Sequence, residues 1–169
     1  MPLSMYQASI PVFERMLRNL SAILTKAAAH AEARKIDPSV FINARLAPDM
    51  FPLSRQVQIA TDGVKGCAAR LAGIEVPSYP DTETTFAELQ ARIAKMLAFL
   101  QTVSAAQIDG SEERPVNLKA GKKELNFKGQ DYLLFFVLPN LYFHVTAAYA
   151  ILRHNGVEIG KMDFLGDAA

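Results

Sequence analysis

Residues Tyr132 to Leu152 read YLLFFVLPNLYFHVTAAYAIL, apolar on nearly every face and interrupted only by Pro139, Asn140, His144 and Thr146. A helix that is apolar all round is either the central element of a soluble bundle or a membrane span. The run approaches the ~20 residues that cross a bilayer, but it holds a proline, an amide and an imidazole, and no second run of that length exists. The expectation is therefore a core helix, surrounded by others, and no membrane partner. Asn140 and His144 stand four residues apart on one face of it, so chemistry is to be sought there.

The rest of the chain supplies helices to surround it. Ile10, Phe13, Leu17, Leu20, Leu24, Ala27 and Ala31 recur in steps of three and four, with Glu14, Arg15, Arg18, Lys26 and Glu32 off the stripe. That is a bundle-facing seam. A capping box, Ser4 with Gln7, places its start early, and Pro11 implies a bend or a later start. Asp37-Pro38 reads as a cap and first helical position of a short connector over about Ser39 to Leu46. Asp49 and Pro52 then open a second long helix with the stripe Leu53, Val57, Ala60, Val64, Cys67, Leu71. Gly63 and Gly66 lie inside it, each unfavourable by roughly 1 kcal/mol in a helix interior, which implies close approach of a neighbouring helix or of a ligand. Gly73 ends it. After an ordered loop through Pro77 and Pro80, a capping box of Thr85 and Glu88 starts a third helix with Phe86, Leu89, Ile93, Met96, Leu100 and Val103 on one face and Glu88, Arg92, Lys95 and Gln101 off it.

Past Gly110 the period changes to two, at Val116 and Leu118 and again at Leu125 and Phe127, so a β-hairpin precedes the last helix. Its lysines, Lys119, Lys122, Lys123 and Lys128, share the segment with Glu112, Glu113 and Glu124, which reads as a solvated lid on the bundle end. The last helix ends at Asn155-Gly156, and Ile159, Met162, Phe164 and Leu165 of the tail are expected to pack back. The fold class is mainly all-α: an up-and-down four-helix bundle with a short β-hairpin before the last helix, one domain over 1–169.

Eighteen Lys plus Arg against seventeen Asp plus Glu leave a charge of +1, too balanced for a nucleic-acid-binding surface. One cysteine, Cys67, excludes an intramolecular disulfide and fits a reducing compartment, hence the cytoplasm. It lies on a core stripe and reads as a buried hydrophobe rather than a nucleophile. The N-terminus shows no basic-then-apolar pattern of a secretory signal. Among three histidines, His144 and His154 are separated by about 15 Å of helix, too far to share an ion held at ~2 Å. His30 and His154 read as residues near helix C-termini. No phosphate loop, zinc-finger spacing or HExxH motif occurs.

The stretches PNLYFHVTAAYAILRHNG, ARLAPDMFPLSRQVQIATDGVKGCAARLAG and GKMDFLG resemble a bacterial family of uncharacterised domains grouped with the DinB/YfiT-like four-helix bundles. That superfamily is of metalloenzyme type, some members transferring low-molecular-weight thiols, with a metal held by one histidine of the second helix and a pair one turn apart on the fourth. The resemblance implies that His144 matches the second of the pair, while the first is Asn140 here and the second helix carries no histidine, only Gln56, Gln58 and Asp62. One imidazole with amides is a poor zinc or nickel site, so the expectation is a degenerate site with no metal and no cofactor. The readings are a bundle binding a small molecule in an internal pocket, where relatives hold a metal, through Asn140, His144, Gln56, Gln58 and Asp62; a thiol-transferase-like enzyme using His144, with Asp62 as its partner; and a self-associating protein, a homodimer paired through Ala- and Phe-rich helix faces.

Overall fold

The computed structural model describes residues 3–166. Four long helices form the bundle: α1 (Ile10–Arg34), α3 (Leu53–Ala72), α4 (Phe86–Gln101) and α6, which runs unbroken over Gly129–His154 with a π-helical stretch at Tyr132–Val137. Short helices α2 (Pro38–Ile42), α5 (Ala105–Ile108) and α7 (Lys161–Leu165) lie in the connections. Strands β1 (Pro115–Ala120) and β2 (Lys123–Lys128) pair antiparallel, Val116 opposite Phe127. Phe127 leans on the rings of Tyr132 and Phe136, tying the hairpin to the start of α6.

The seams legible in the sequence are the seams of the core. Every residue of the three stripes is buried, from Ile10 to Ala31, Leu53 to Leu71 and Phe86 to Val103. The Thr85–Glu88 capping box forms as expected, as does the Asp37 cap, whose carboxylate accepts from the Ser39 amide at 2.8 Å. Gly73 closes α3 at φ 70, a left-handed conformation that suits glycine.

Several boundaries differ for local reasons. Ser4 and Gln7 do exchange hydrogen bonds, but they close a turn, and α1 starts at Ile10 with Pro11 in its first turn, where the missing N–H is harmless. The connector stops at Ile42, and Pro52 rather than Asp49 stands at the cap of α3. In the tail, Ile159 and Phe164 pack back while Met162 and Leu165 stay exposed.

Two findings go further. α6 is not surrounded: Phe135, Tyr142 and Phe143 are 73%, 39% and 56% exposed on its outer side, while Leu133, Leu141, Val145, Ala148 and Leu152 face the core. It is long and apolar enough to cross a membrane, and its inner face is a wall of the bundle. Second, the alternation of helix directions is refined at one step. α3 packs between α4 and α6, and α1 packs against α4 and α6. Asp62 and Lys65 of α3 meet, respectively, Arg92 and, through the Tyr79 ring, Lys95 of α4, so these two helices run in the same sense. The segment from Gly73 to Thr85 must therefore return along the length of α3, about 30 Å for a helix of 20 residues.

Candidate functional site

The seam between α3 and α6 carries the polar residues singled out from sequence. The two helices are antiparallel, Gln56 meeting His144 and Gly63 meeting Asn140. Apolar neighbours on both helices bury this seam, and His144 is only 8% exposed. Its Nδ1 lies 2.7 Å from Oε1 of Gln56, and Nε2 of Gln56 donates to the Phe51 carbonyl at 3.0 Å.

That carbonyl decides the protonation of the ring. A carbonyl only accepts, so it fixes the amide nitrogen of Gln56 towards itself and the amide oxygen towards His144. Nδ1 must then carry the hydrogen and donate, leaving the lone pair on Nε2. Burial, and then the charge of nearby Arg55, hold the imidazole pKa below its ordinary value, so the ring is neutral at pH 7. The Phe143 ring stands edge-on to it at 5.2 Å. Among the described residues Nε2 has no hydrogen-bond partner.

Asn140 sits one turn earlier, half-buried, with its Nδ2 3.4 Å from where a Cβ on Gly63 would stand. The glycine thus gives the amide its room, the close approach that its helix-interior position implied. Gly66 plays a different part: its open side takes the guanidinium of Arg70, which bonds the Tyr132 hydroxyl at 3.1 Å. The Asn140 side chain makes no hydrogen bond among the described residues.

Gln58 and Asp62 lie elsewhere. Gln58 donates to Glu83 at 3.0 Å, and Asp62 pairs with Lys65 at 2.7 Å and Arg92 at 2.9 Å, so the acid–base pairing of His144 with Asp62 is not what the structure assembles. Six residues from Gln56 is well short of two full turns, which turns Asp62 to another side of α3. There it joins a charged cluster that sequence reasoning missed. Arg92, off the apolar stripe of its helix, is nevertheless only 4% exposed. Its guanidinium reaches Glu83 at 2.9 Å, Asp81 at 2.9 Å, the Pro80 carbonyl at 3.1 Å and, through Nε, the Thr61 hydroxyl at 2.7 Å. The Nη2 contacts with Asp62 and Asp81 are ionic approaches rather than well-aligned hydrogen bonds. Burial disfavours the charged form, but the Glu83 hydrogen bond and the three carboxylates outweigh it and raise the pKa further. Arg55 also pairs with Asp81, and Lys65 and Lys95 stand 4.8 Å and 3.7 Å from the centre of the Tyr79 ring. Each partner on the loop side, Tyr79, Pro80, Asp81 and Glu83, belongs to the returning segment, so the cluster clamps that loop to α3 and α4. The signal was present in spacing: Arg92 is three residues from Leu89 and four from Met96, which puts it beside the seam.

The remaining candidates are plain. His30 is half-buried and meets the Phe41 ring edge-on at 5.9 Å, and His154 is exposed at the end of α6. Burial pushes the Cys67 thiol up, with Arg70 opposing weakly, and pushes the Tyr132 phenol up to about 12. The hairpin lysines 119 and 128 face Glu124 and Glu113 at 3.8 Å and 2.6 Å.

A bundle of four long helices, with a hairpin before the last and a polar seam between the second and the fourth, places the molecule in the DinB-like class. The chain is similar to a DinB family member protein from Shewanella denitrificans, solved as a crystal structure, with 45% identity over 96% of this chain and 92% of that one and a TM-score of 0.86. The family model described as "Domain of unknown function (DUF1993)" matches residues 5–165, and the chain belongs to that family. No curated protein matches it.

The wider superfamily implies a metal at this seam, and the donors present do not fit one. The imidazole is met by the amide of Gln56, with a second amide at Asn140, and among the described residues no three of His, Cys, Asp and Glu converge to hold an ion. Amides are weak donors for zinc or nickel.

Proposed function

We propose that the protein binds a small polar molecule at the α3–α6 seam, without a metal, through His144 and Asn140. The supporting observation is that two polar groups one turn apart, on a helix otherwise apolar, keep hydrogen-bonding positions open. Groups that serve a core alone are generally paired. Nε2 of His144 offers a lone pair, so the ligand supplies a donor there: a hydroxyl, a thiol or an ammonium. A second polar group about 5–6 Å away, the spacing of one helical turn, meets the Asn140 amide. Gln56 is a positioning residue that fixes the tautomer. Gln58 and Asp62 belong to the loop clamp in this reading. With a balanced surface charge and a single buried thiol, we place the protein in the bacterial cytoplasm.

One feature favours a second reading, an enzyme acting on a thiol. A neutral imidazole with a free lone pair is the state a general base needs, and the resemblance points to relatives that transfer thiols.

The test combines stability with probe binding. Asn140→Ala should change the unfolding free energy by less than about 0.5 kcal/mol, because water replaces an open amide. In the 15N-labelled protein, the Asn140 side-chain amide and His144 Nε2 signals should shift saturably with members of a set of small alcohols, amines and thiols, unaffected by chelator. A loss above ~1 kcal/mol for Asn140→Ala, with no probe moving either signal, refutes the site. Turnover of a thiol probe, lost in His144→Gln, would select the enzyme.

A further inference from the structure

We propose that the outer face of α6 is a homodimer interface, at which the helix pairs antiparallel with that of a second copy across a two-fold axis near Leu141. No Asp, Glu, Lys or Arg occurs between Tyr132 and Leu152, and the exposed stripe Phe135, Pro139, Tyr142, Phe143, Thr146 continues along this uncharged helix. Apolar grooves flank it on both sides. One, of about 360 Å3, is lined by Leu46, Met50, Tyr142, Phe143, Thr146 and Ala147 among others. The other, of about 530 Å3, lies between Tyr142 and the side chains of Val12, Arg15, Met16, Phe164 and Leu165. Of these, Leu165 is a tail residue that stays exposed, at 43%.

Area and shape both select a second copy as occupant. From Phe135 to Ala150 the stripe is about 24 Å long, and a helix with a groove on each side is roughly 30 Å wide at the usual 8–10 Å helix spacing. The resulting face of about 700 Å2 is close to the ~800 Å2 per partner of a stable interface. A two-fold contact must be self-complementary, residue i meeting j and j meeting i. Phe135 is a protruding ring at one end, and the groove beside Thr146 and Ala147 is a hollow at the other. An antiparallel pairing centred near Leu141 seats each Phe135 in the partner's hollow. The absence of charge along α6 itself lets the identical helices meet without repulsion, with Arg15 at the edge of the face. A membrane surface fits less well, because helices that lie on lipid carry Lys and Arg along their polar edge. The π-helical stretch supports the assignment independently. It turns Leu134 and Phe135 outward while Tyr132, Leu133 and Val137 stay in the core, and such distortions collect at functional places.

The test uses the whole chain. Sedimentation should give a species of twice 18.6 kDa, about 37 kDa. Phe135→Asp, at a position the core does not use, should weaken the dimer at least about 100-fold, since it would bring two carboxylates into an apolar contact, with unchanged circular dichroism. A variant carrying Phe135→Cys and Thr146→Cys together should form an intermolecular disulfide on oxidation. Phe135→Cys alone should not, the two positions being about 18 Å apart along the antiparallel pair. A monomer at micromolar concentration overturns the proposal, as does a dimer indifferent to Phe135→Asp. Crosslinking through Cys at 135 alone would overturn the antiparallel arrangement, and binding of the monomer to phosphatidylcholine vesicles would assign the face to lipid.

Discussion

Arg92→Ala is the sharpest perturbation of the clamp on the returning loop. The guanidinium meets three carboxylates at 2.9 Å, with Asp62 and Asp81 about one-third exposed (34% and 32%) and Glu83 at 13%. Removing one partner of a fully buried ion pair costs about 3–5 kcal/mol. Water can reach Asp62 and Asp81 and offset part of this, whereas Glu83 and the Pro80 carbonyl lose charged hydrogen bonds worth about 1.5–3 kcal/mol each before solvation recovers some. The expected loss is about 2–4 kcal/mol, or roughly 5–15 °C in Tm for a chain of this size. Urea unfolding measures the loss, and limited proteolysis locates it: cleavage should appear between Gly73 and Thr85 before anywhere else. Arg92→Lys keeps the charge without the planar fork and should recover less than half. A loss below about 0.5 kcal/mol, or a loop no more open to protease than before, would refute the clamp.

Other expectations follow from the same geometry. His144 has a folded-state pKa below its unfolded value near 6.5, so its contribution is complete above about pH 6.5 and is lost as pH falls through the lower folded value. Stability should decline over that window by at most about 1.4 kcal/mol per pH unit from this group, and His144→Gln should flatten the decline; an unchanged profile would refute the assignment. Gln56→Leu strands the Nδ1 hydrogen and should cost about 1–3 kcal/mol in chemical unfolding. Gly129→Ala should destabilise by about 1–3 kcal/mol or more, because the new methyl would overlap the backbone carbonyl of Ser111; a neutral result would contradict that close approach. Cys67, fully buried with its thiol pKa pushed up, should resist a thiol reagent at pH 8 until the protein is denatured.

Much of this architecture was legible in the chain. Helical periodicity requires only local spacing, so the stripes Ile10–Ala31, Leu53–Leu71 and Phe86–Val103 named the core, and caps such as Thr85–Glu88 named a start. The change to period two before the last helix named the hairpin. His144 and Asn140 stood out because polar groups are rare on an apolar helix, and the sequence placed them on one face.

Tertiary structure decided what depends on rotation and partners. Gln56, Gln58 and Asp62 are near neighbours in sequence, yet only Gln56 faces His144, because about 100° of rotation per residue scatters them over different sides of α3. Arg92 is buried because α3 and α4 run in one sense, which forces the connecting loop back along them and brings Asp81 and Glu83 to its guanidinium. No local pattern encodes a helix direction. Composition alone suggested that α6 would be enclosed, but enclosure needs neighbours on every side, and the packed helices α1 and α3 cover only the inner face. The outer rings Phe135, Tyr142 and Phe143 stay exposed on the single chain.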